Sequence, residues 1–166
     1  MSNSILVGYA TRNGSTREVA NAIAVKLREG SIAVDVLPLR AVKALNGYRS
    51  VVIGAPLYMF HWHKDARAFL ERHHAALLDR VAAVFALGPF NDAEKDWQEV
   101  RWQLDRELAK FPWFTPMARV VFGGKFDPST LGFPYALIPA LKKIPACDLR
   151  DWAATRDWAG RLSSKL

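Results

Sequence analysis

Residues 4–16 read SILVGYATRNGST, and within them the chain changes structural state twice. The first six residues, SILVGY, barely alternate between apolar and polar, as expected of a strand buried on both faces of a sheet. Residues 15–28 place Val19, Ile23 and Leu27 at four-residue spacing, the stripe of an amphipathic helix. Between the two lie Thr11, Arg12, Asn13, Gly14, Ser15 and Thr16: hydroxyls, an amide and one glycine running straight into the helix. Buried strand, short polar loop and helix together make the opening unit of a parallel α/β sheet.

The alternation continues along the chain. Residues 33–39 (AVDVLPL) suggest a less buried strand, and residues 50–55 (SVVIGA) a strong one that stops at Pro56. Residues 63–78 are helical in pattern, with His73 and His74 expected at the surface, and residues 81–87 (VAAVFAL) form another buried strand. Asn91 with Glu94 three positions on marks a helix start, after which Trp97, Val100, Leu104 and Leu108 share a face. Residues 119–122 give a fifth strand. After a proline-punctuated stretch, 127–145, Asp148 or Asp151 caps a last helix carrying Ala154, Trp158 and Leu162. Only a turn or two of helix fits between Leu39 and Ser50. Right-handed crossovers then predict one α/β domain over residues 1–166, an open five-stranded parallel sheet with helices on both faces. Ligands of such sheets bind beyond the carboxyl ends of the strands.

Composition narrows the function. Of 166 residues, 51% are hydrophobic and 11% aromatic, enough for a core, which excludes intrinsic disorder. A single cysteine excludes a disulfide framework and a zinc site built on several thiolates. Cys147 is therefore expected to be a buried small hydrophobe in a reducing compartment. No apolar run approaches the roughly 20 residues that span a bilayer. The opening MSNSILVGYATRNG also lacks the basic region of a signal peptide. A cytoplasmic protein, at most peripheral at the membrane inner face, is the expectation.

The net charge is +7, with 12 basic and 10 acidic residues up to Val100 but 11 and 6 from Arg101 onward. Such an excess serves either as a solubilising coat or to attract phosphate-bearing, polycarboxylate or anionic membrane partners. No nucleic-acid partner is expected.

The loop Thr11 to Thr16 suits an anion, because hydroxyls and a flexible Gly14 sit where helix N–H groups are unpaired and the macrodipole is positive. An ordinary helix cap would need only one such side chain. The loop is no P-loop, since no Gly-Lys-Ser/Thr follows, and no dinucleotide fingerprint, since the glycine triplet is absent. After the third strand stand Pro56, Leu57, Tyr58, Met59 and Phe60, apolar and aromatic faces suited to a flat ring or to plain core. After the fourth come Gly88, Pro89, Phe90, Asn91 and Asp92.

His61 and His63 have no further clustered ligand, so no metal site is read there, and His63 opens the next helix. Cys147 with Arg150 lacks the glycine-containing cradle of a phosphatase loop. Lys125 suits a phosphate-receiver domain, but the acidic pair after strand one is absent and Gly54-Ala55 stands where a phosphorylatable Asp would be required.

The spacing Thr11-x-x-Gly14-Ser15-Thr16 after ILVGYA resembles the FMN-phosphate loop of flavodoxins, usually Thr/Ser-x-Thr-Gly-x-Thr, with Asn13 in place of the second hydroxyl. That resemblance covers essentially the whole chain. It implies a flavodoxin-like doubly wound sheet of order 2-1-3-4-5 with FMN as cofactor. Thr11, Arg12, Asn13, Gly14, Ser15 and Thr16 would hold the phosphate; Pro56, Leu57, Tyr58 and Met59 would flank the ring. Backbone at Gly88, Pro89, Phe90, Asn91 and Asp92 would meet its pyrimidine edge. No side chain reads as an acid–base catalyst.

The stretches Phe122-Gly123-Gly124-Lys125-Phe126-Asp127-Pro128 and Asp148-Leu149-Arg150-Asp151-Trp152 are similar to a flavodoxin-domain group that includes the quinone-dependent, oxygen-independent protoporphyrinogen oxidases. In that group an insertion precedes the last helix; here it is FPYALIPALKKI, from Phe133 to Ile144. Its apolar residues beside Lys142 and Lys143 suit a membrane surface or an apolar anionic substrate, or else a short helix covering the sheet edge. The resemblance implies an FMN-dependent oxidoreductase passing electrons from a reduced substrate to a quinone. The alternatives are an electron-carrier flavodoxin that docks protein redox partners, or an NAD(P)H:quinone reductase.

Overall fold

In the computed structural model, which describes residues 4–166, the opening strand β1 (Ser4–Tyr9) lies between β2 (Val34–Pro38) and β3 (Tyr48–Tyr58), parallel to both. β3 continues the sheet to β5 (Val81–Leu87), and β5 to β6 (Ala118–Phe122), all parallel. The order β2-β1-β3-β5-β6 is the doubly wound arrangement expected of the five main strands. A two-residue strand β4 (His61–Trp62) folds back antiparallel on the end of β3.

Two apolar layers coat the sheet. Alternate strand residues Ile5, Val7, Val52, Ala83 and Phe85 pack against Val19, Ile23 and Leu27 of α1 (Ser15–Arg28) and Trp158 and Leu162 of α6 (Trp152–Ser163). The opposite faces, Leu6, Val51, Ile53 and Val84, pack against Phe69 and Leu70 of α2 (Lys64–Arg72) and Leu104 and Leu108 of α4 (Glu94–Ala109). Burial on both sides explains why these strands scarcely alternate in sequence. Gly54 is required by this packing, since a Cβ there would overlap the Phe85 ring.

Several local expectations are corrected. β3 runs through Pro56 to Tyr58 rather than stopping, because β1 has already ended opposite Gly54 and Pro56 lies at a boundary of the sheet, where proline is tolerated. The 63–78 helix is broken: α2 ends at Arg72, His73 leaves helical geometry (φ −106°, ψ 19°), and α3 (His74–Leu78) restarts. The bend turns His73 inward, so it is buried among core side chains while only His74 stays at the surface. Asn91 does not cap α4; Ala93 occupies the cap position, and the Asn91 amide donates to Asp96 Oδ2 at 2.9 Å. Asp151 caps α6 by accepting from Ala154 N–H, whereas Asp148 lies in a small ribbon. Cys147 is only half-buried, its thiol donating to the Phe90 carbonyl at 3.1 Å.

That ribbon pairs β7 (Lys125–Phe126) with β8 (Cys147–Asp148) and brackets the insertion. The insertion itself holds 3-10 turns at Pro128–Thr130 and Tyr135–Leu137 and the single-turn α5 (Pro139–Lys142). Gly123 passes so close to the Leu149 backbone that no side chain would fit. Between Leu39 and Ser50 only a 3-10 turn, Leu39–Ala41, appears. No helix among the described residues is long and apolar enough to cross a membrane.

Candidate functional site

The carboxyl ends of β1, β3 and β5 deliver three loops to one edge of the molecule. In the first, Gly14 takes φ +92° at the N-cap of α1, and Thr11 Oγ1 accepts a hydrogen bond from its N–H at 2.9 Å. Nothing lies within 4 Å of where a Gly14 side chain would be. Thr16 is fully buried in the first turn, and its hydroxyl has no hydrogen-bond partner. A buried hydroxyl left unmatched costs about 1–3 kcal/mol, so it asks for an acceptor. The open glycine turn, the unpaired first-turn N–H groups and this hydroxyl converge as a phosphate group requires.

The second loop is the turn between β3 and β4. Met59 (φ 49°) and Phe60 (φ 68°) both adopt left-handed backbone, the geometry of a tight hairpin but a strained one for bulky residues. Both stay exposed, at 49% and 68%. Strain that presents apolar side chains to solvent is characteristic of ligand sites. β4 is pinned beneath by Trp62, fully buried, whose indole N–H donates to the Ala55 carbonyl at 3.1 Å. The third loop, Gly88 to Asn91, is held by Gly124, whose N–H donates to Pro89 O at 3.0 Å and whose missing side chain makes room for the Phe90 ring.

The second and third loops border an open cavity of about 480 Å3. Leu57, Tyr58 and Met59 form one wall; Gly88, Pro89, Phe90 and Asn91 form another. A crevice of about 40 Å3, lined by Arg12, Asn13, Ser15 and Pro56, meets the cavity at the shared side chains Tyr58, Phe90 and Phe126. The Asp92 carboxylate accepts from the Trp97 indole N–H at 2.8 Å, and Asp92 does not line the cavity. Burial pushes the Tyr58 phenol pKa up, with Arg12 opposing the shift.

Sequence reasoning missed the floor of the cavity. Asp96, Glu99, Val100 and Gln103 of α4 line it, a face recognisable by its three- and four-residue steps from Asp96 through Glu99 and Val100 to Gln103 had polar residues been counted as well as apolar ones. Leu141 and Ile144 of the insertion close its side. Tyr135 of the insertion packs edge-on against Tyr58 (centroids 5.2 Å apart, 79°).

A flavodoxin-domain family model matches residues 6–138. The chain belongs to the flavodoxin domain family. It is 25% identical over 158 residues to the protoporphyrinogen IX dehydrogenase [quinone] of Escherichia coli K12, covering 92% of this chain and 87% of that protein. Among solved structures, oxidised flavodoxin 1 of Bacillus cereus superposes with a TM-score of 0.64 at 15% identity, over 98% of this chain and 99% of that one. A short-chain flavodoxin associated with a bacterial microcompartment gives 0.63 at 18%, over 100% and 97%. The flavodoxin family generally binds FMN, and the orphaned Thr16 hydroxyl, open Gly14 turn and adjoining apolar cavity fit that cofactor's charged tail and flat ring.

Proposed function

We propose that this flavodoxin-domain protein is an FMN-dependent oxidoreductase that takes electrons from a reduced, apolar, carboxylate-bearing substrate of the protoporphyrinogen type and passes them to a quinone. The observation that carries the cofactor assignment is the buried, unpartnered Thr16 hydroxyl in a turn whose Arg12, Asn13 and Ser15 line a crevice that meets an apolar cavity. When bound, FMN supplies hydride or single-electron transfer. The chain supplies the rest. Thr11, Asn13, Gly14, Ser15 and Thr16 hold the phosphate, with Arg12 adding charge. Pro56, Leu57, Tyr58 and Met59 flank the ring on one side, and Gly88, Pro89, Phe90 and Asn91 meet it on the other.

The similarity to the E. coli enzyme supports the substrate class, as does the net charge of +7 against a substrate carrying propionates. The insertion supports contact with a bilayer surface, where a quinone resides. Phe133 is 82% exposed and Leu137 70%, with Lys142 and Lys143 also exposed beside them.

Reduced porphyrinogen and menadione added anaerobically to FMN-loaded protein should develop porphyrin fluorescence well above the rate with free FMN. No gain over free FMN overturns the proposal, and rapid reduction by a flavodoxin reductase in that case would favour an electron carrier.

A further inference from the structure

On the far side of Tyr58 and Met59 from the ring cavity lies a second hollow of about 450 Å3, into which Arg12, His61, His63, Lys64, Arg67 and Tyr135 converge. Three cations from two separate elements meet here. The Arg12 guanidinium carbon lies 3.9 Å from the Tyr135 centroid and 5.1 Å from that of Tyr58. Among the described residues, neither Arg12 nor Lys64 has an acidic partner or a side-chain hydrogen bond.

Arg67 comes no nearer than 4.0 Å to Glu107, and its buried Nε has no hydrogen-bond partner. Glu107 offsets only part of this charge, through Arg67 at 4.0 Å and His61 at 3.4 Å. It lies beneath, buried, and is engaged by Lys110 and by His61 Nδ1 at 3.4 Å. Burial alone would raise its pKa, but those hydrogen bonds hold it below the usual range, so it stays ionised as their counter-charge. Asp65 is the remaining carboxylate, 4.0 Å from His63 Nδ1.

The chemistry differs from that of the phosphate loop. There, backbone N–H groups converge on an anion. Here the N–H groups of His63, Asp65, Ala66 and Arg67 are already bonded to Pro56 O, His63 Nδ1 and His63 O. What remains is long cationic side chains and imidazoles around tyrosine rings, suited to carboxylates hanging from an apolar body. The hollow shares the wall Tyr58–Met59 with the ring cavity, so a ligand presented at that wall can place its carboxylates in the hollow.

We infer that this hollow is an anion-binding subsite bordering the phosphate loop at Thr11 and Arg12, in which Lys64 and Arg67, with Arg12 at the border, bind carboxylates of the ligand presented to the ring cavity. Its place beside a flavin rests on the reading above; its capacity to bind carboxylate does not.

The test uses citrate as probe and the histidine imidazole resonances as readout, in protein saturated with FMN and again in apoprotein, at low salt. His63 faces Arg12, Lys64, Arg67 and Asp65; burial first, opposed by Asp65 and helped by those cations, holds its pKa below the ordinary value of 6.5. A bound carboxylate must therefore move it upward. Expected are shifts of His61 and His63 with His73 and His74 unmoved, and a rise in the His63 pKa. Lys64→Gln and Arg67→Gln should each weaken citrate about tenfold without altering FMN affinity. Inorganic phosphate at equal ionic strength should bind more weakly.

A silent His63, or variants that bind citrate like the parent, overturns the inference. Displacement of FMN by citrate does so too, since the hollow would then be the seat of the flavin phosphate. Phosphate binding as tightly as citrate overturns the carboxylate class. Citrate binding in a protein that takes no FMN sustains the subsite while removing the flavin reading.

Discussion

The guanidinium of Arg12 lies 3.9 Å over the ring centre of Tyr135, joining the first loop of the fold to an insertion more than 120 residues later. Tyr135 also meets Tyr58 edge-on, so one side chain ties the insertion to two walls of the site. Neither core layer includes it. Tyr135→Ala removes contacts worth about 0.5–1.5 kcal/mol each. The unfolding midpoint should barely move, while trypsin cleavage at Lys142 and Lys143 accelerates several-fold as the insertion opens locally. Limited proteolysis beside a thermal melt checks this. Unchanged cleavage would mean that the insertion is held by Leu141 and Ile144 alone.

Gly54→Ala should be among the most damaging changes outside the loops. The added methyl overlaps the Phe85 ring, itself packed against Trp158 and Phe122. Overpacking of this kind costs about 1–3 kcal/mol. Phe85→Leu should relieve part of it, so the double variant is more stable than the sum of the single effects predicts in urea titrations. Strict additivity would show that the clash is absorbed elsewhere.

Stability should fall as pH drops below neutrality. Burial, opposed by a contact from Nε2 to Val42 O at 3.3 Å and reinforced by Arg72, holds the His73 pKa below 6.5 in the folded state. The unfolded chain then binds the proton first, so the stabilisation is complete above about pH 6.5 and is lost as pH falls toward the folded value. His63 acts in the same direction. Glu107, whose pKa is depressed, loses its contribution only below its ordinary value of 4.5. Urea midpoints at pH 7.5 and 5.5 therefore isolate the histidines. The drop should shrink in His73→Phe, whose ring can keep the stacking against Phe69.

The double variant Phe133→Ser with Leu137→Ser removes the two most exposed apolar side chains of the insertion. Fully burying such a side chain is worth about 1.5–3 kcal/mol, and a bilayer surface recovers part of that. Co-sedimentation with anionic vesicles should weaken about tenfold with FMN affinity unaltered. Equal sedimentation of parent and variant would remove the membrane contact.

Much of this fold is legible because its strands are buried on both faces. SILVGY, SVVIGA and VAAVFAL declare themselves by composition, and the loop at Gly14 by hydroxyls clustered at a helix start. What escaped reading depends on distant partners. Pro56 looks like a strand end unless β1 is known to stop opposite Gly54. His73 looks exposed on an unbroken helix and is buried because the helix bends there. The β7–β8 ribbon rests on Gly123 lying against Leu149, a contact no local pattern encodes. The cavity floor on α4 joins Val100 to the polar Asp96, Glu99 and Gln103, which an apolar stripe could not reveal.

The central claim is that the Thr11 to Thr16 turn seats the phosphate of FMN, and comparing FMN with riboflavin in fluorescence-quenching titrations of apoprotein tests it most directly. Several hydrogen bonds to a charged group, at about 1.5–3 kcal/mol each, predict FMN bound at least about a hundredfold more tightly. Thr16→Val should weaken FMN about tenfold, leave riboflavin unchanged, and not destabilise the apoprotein, since it removes a buried hydroxyl that has no partner there. Equal affinity for the two flavins, or no quenching by either, would contradict the account.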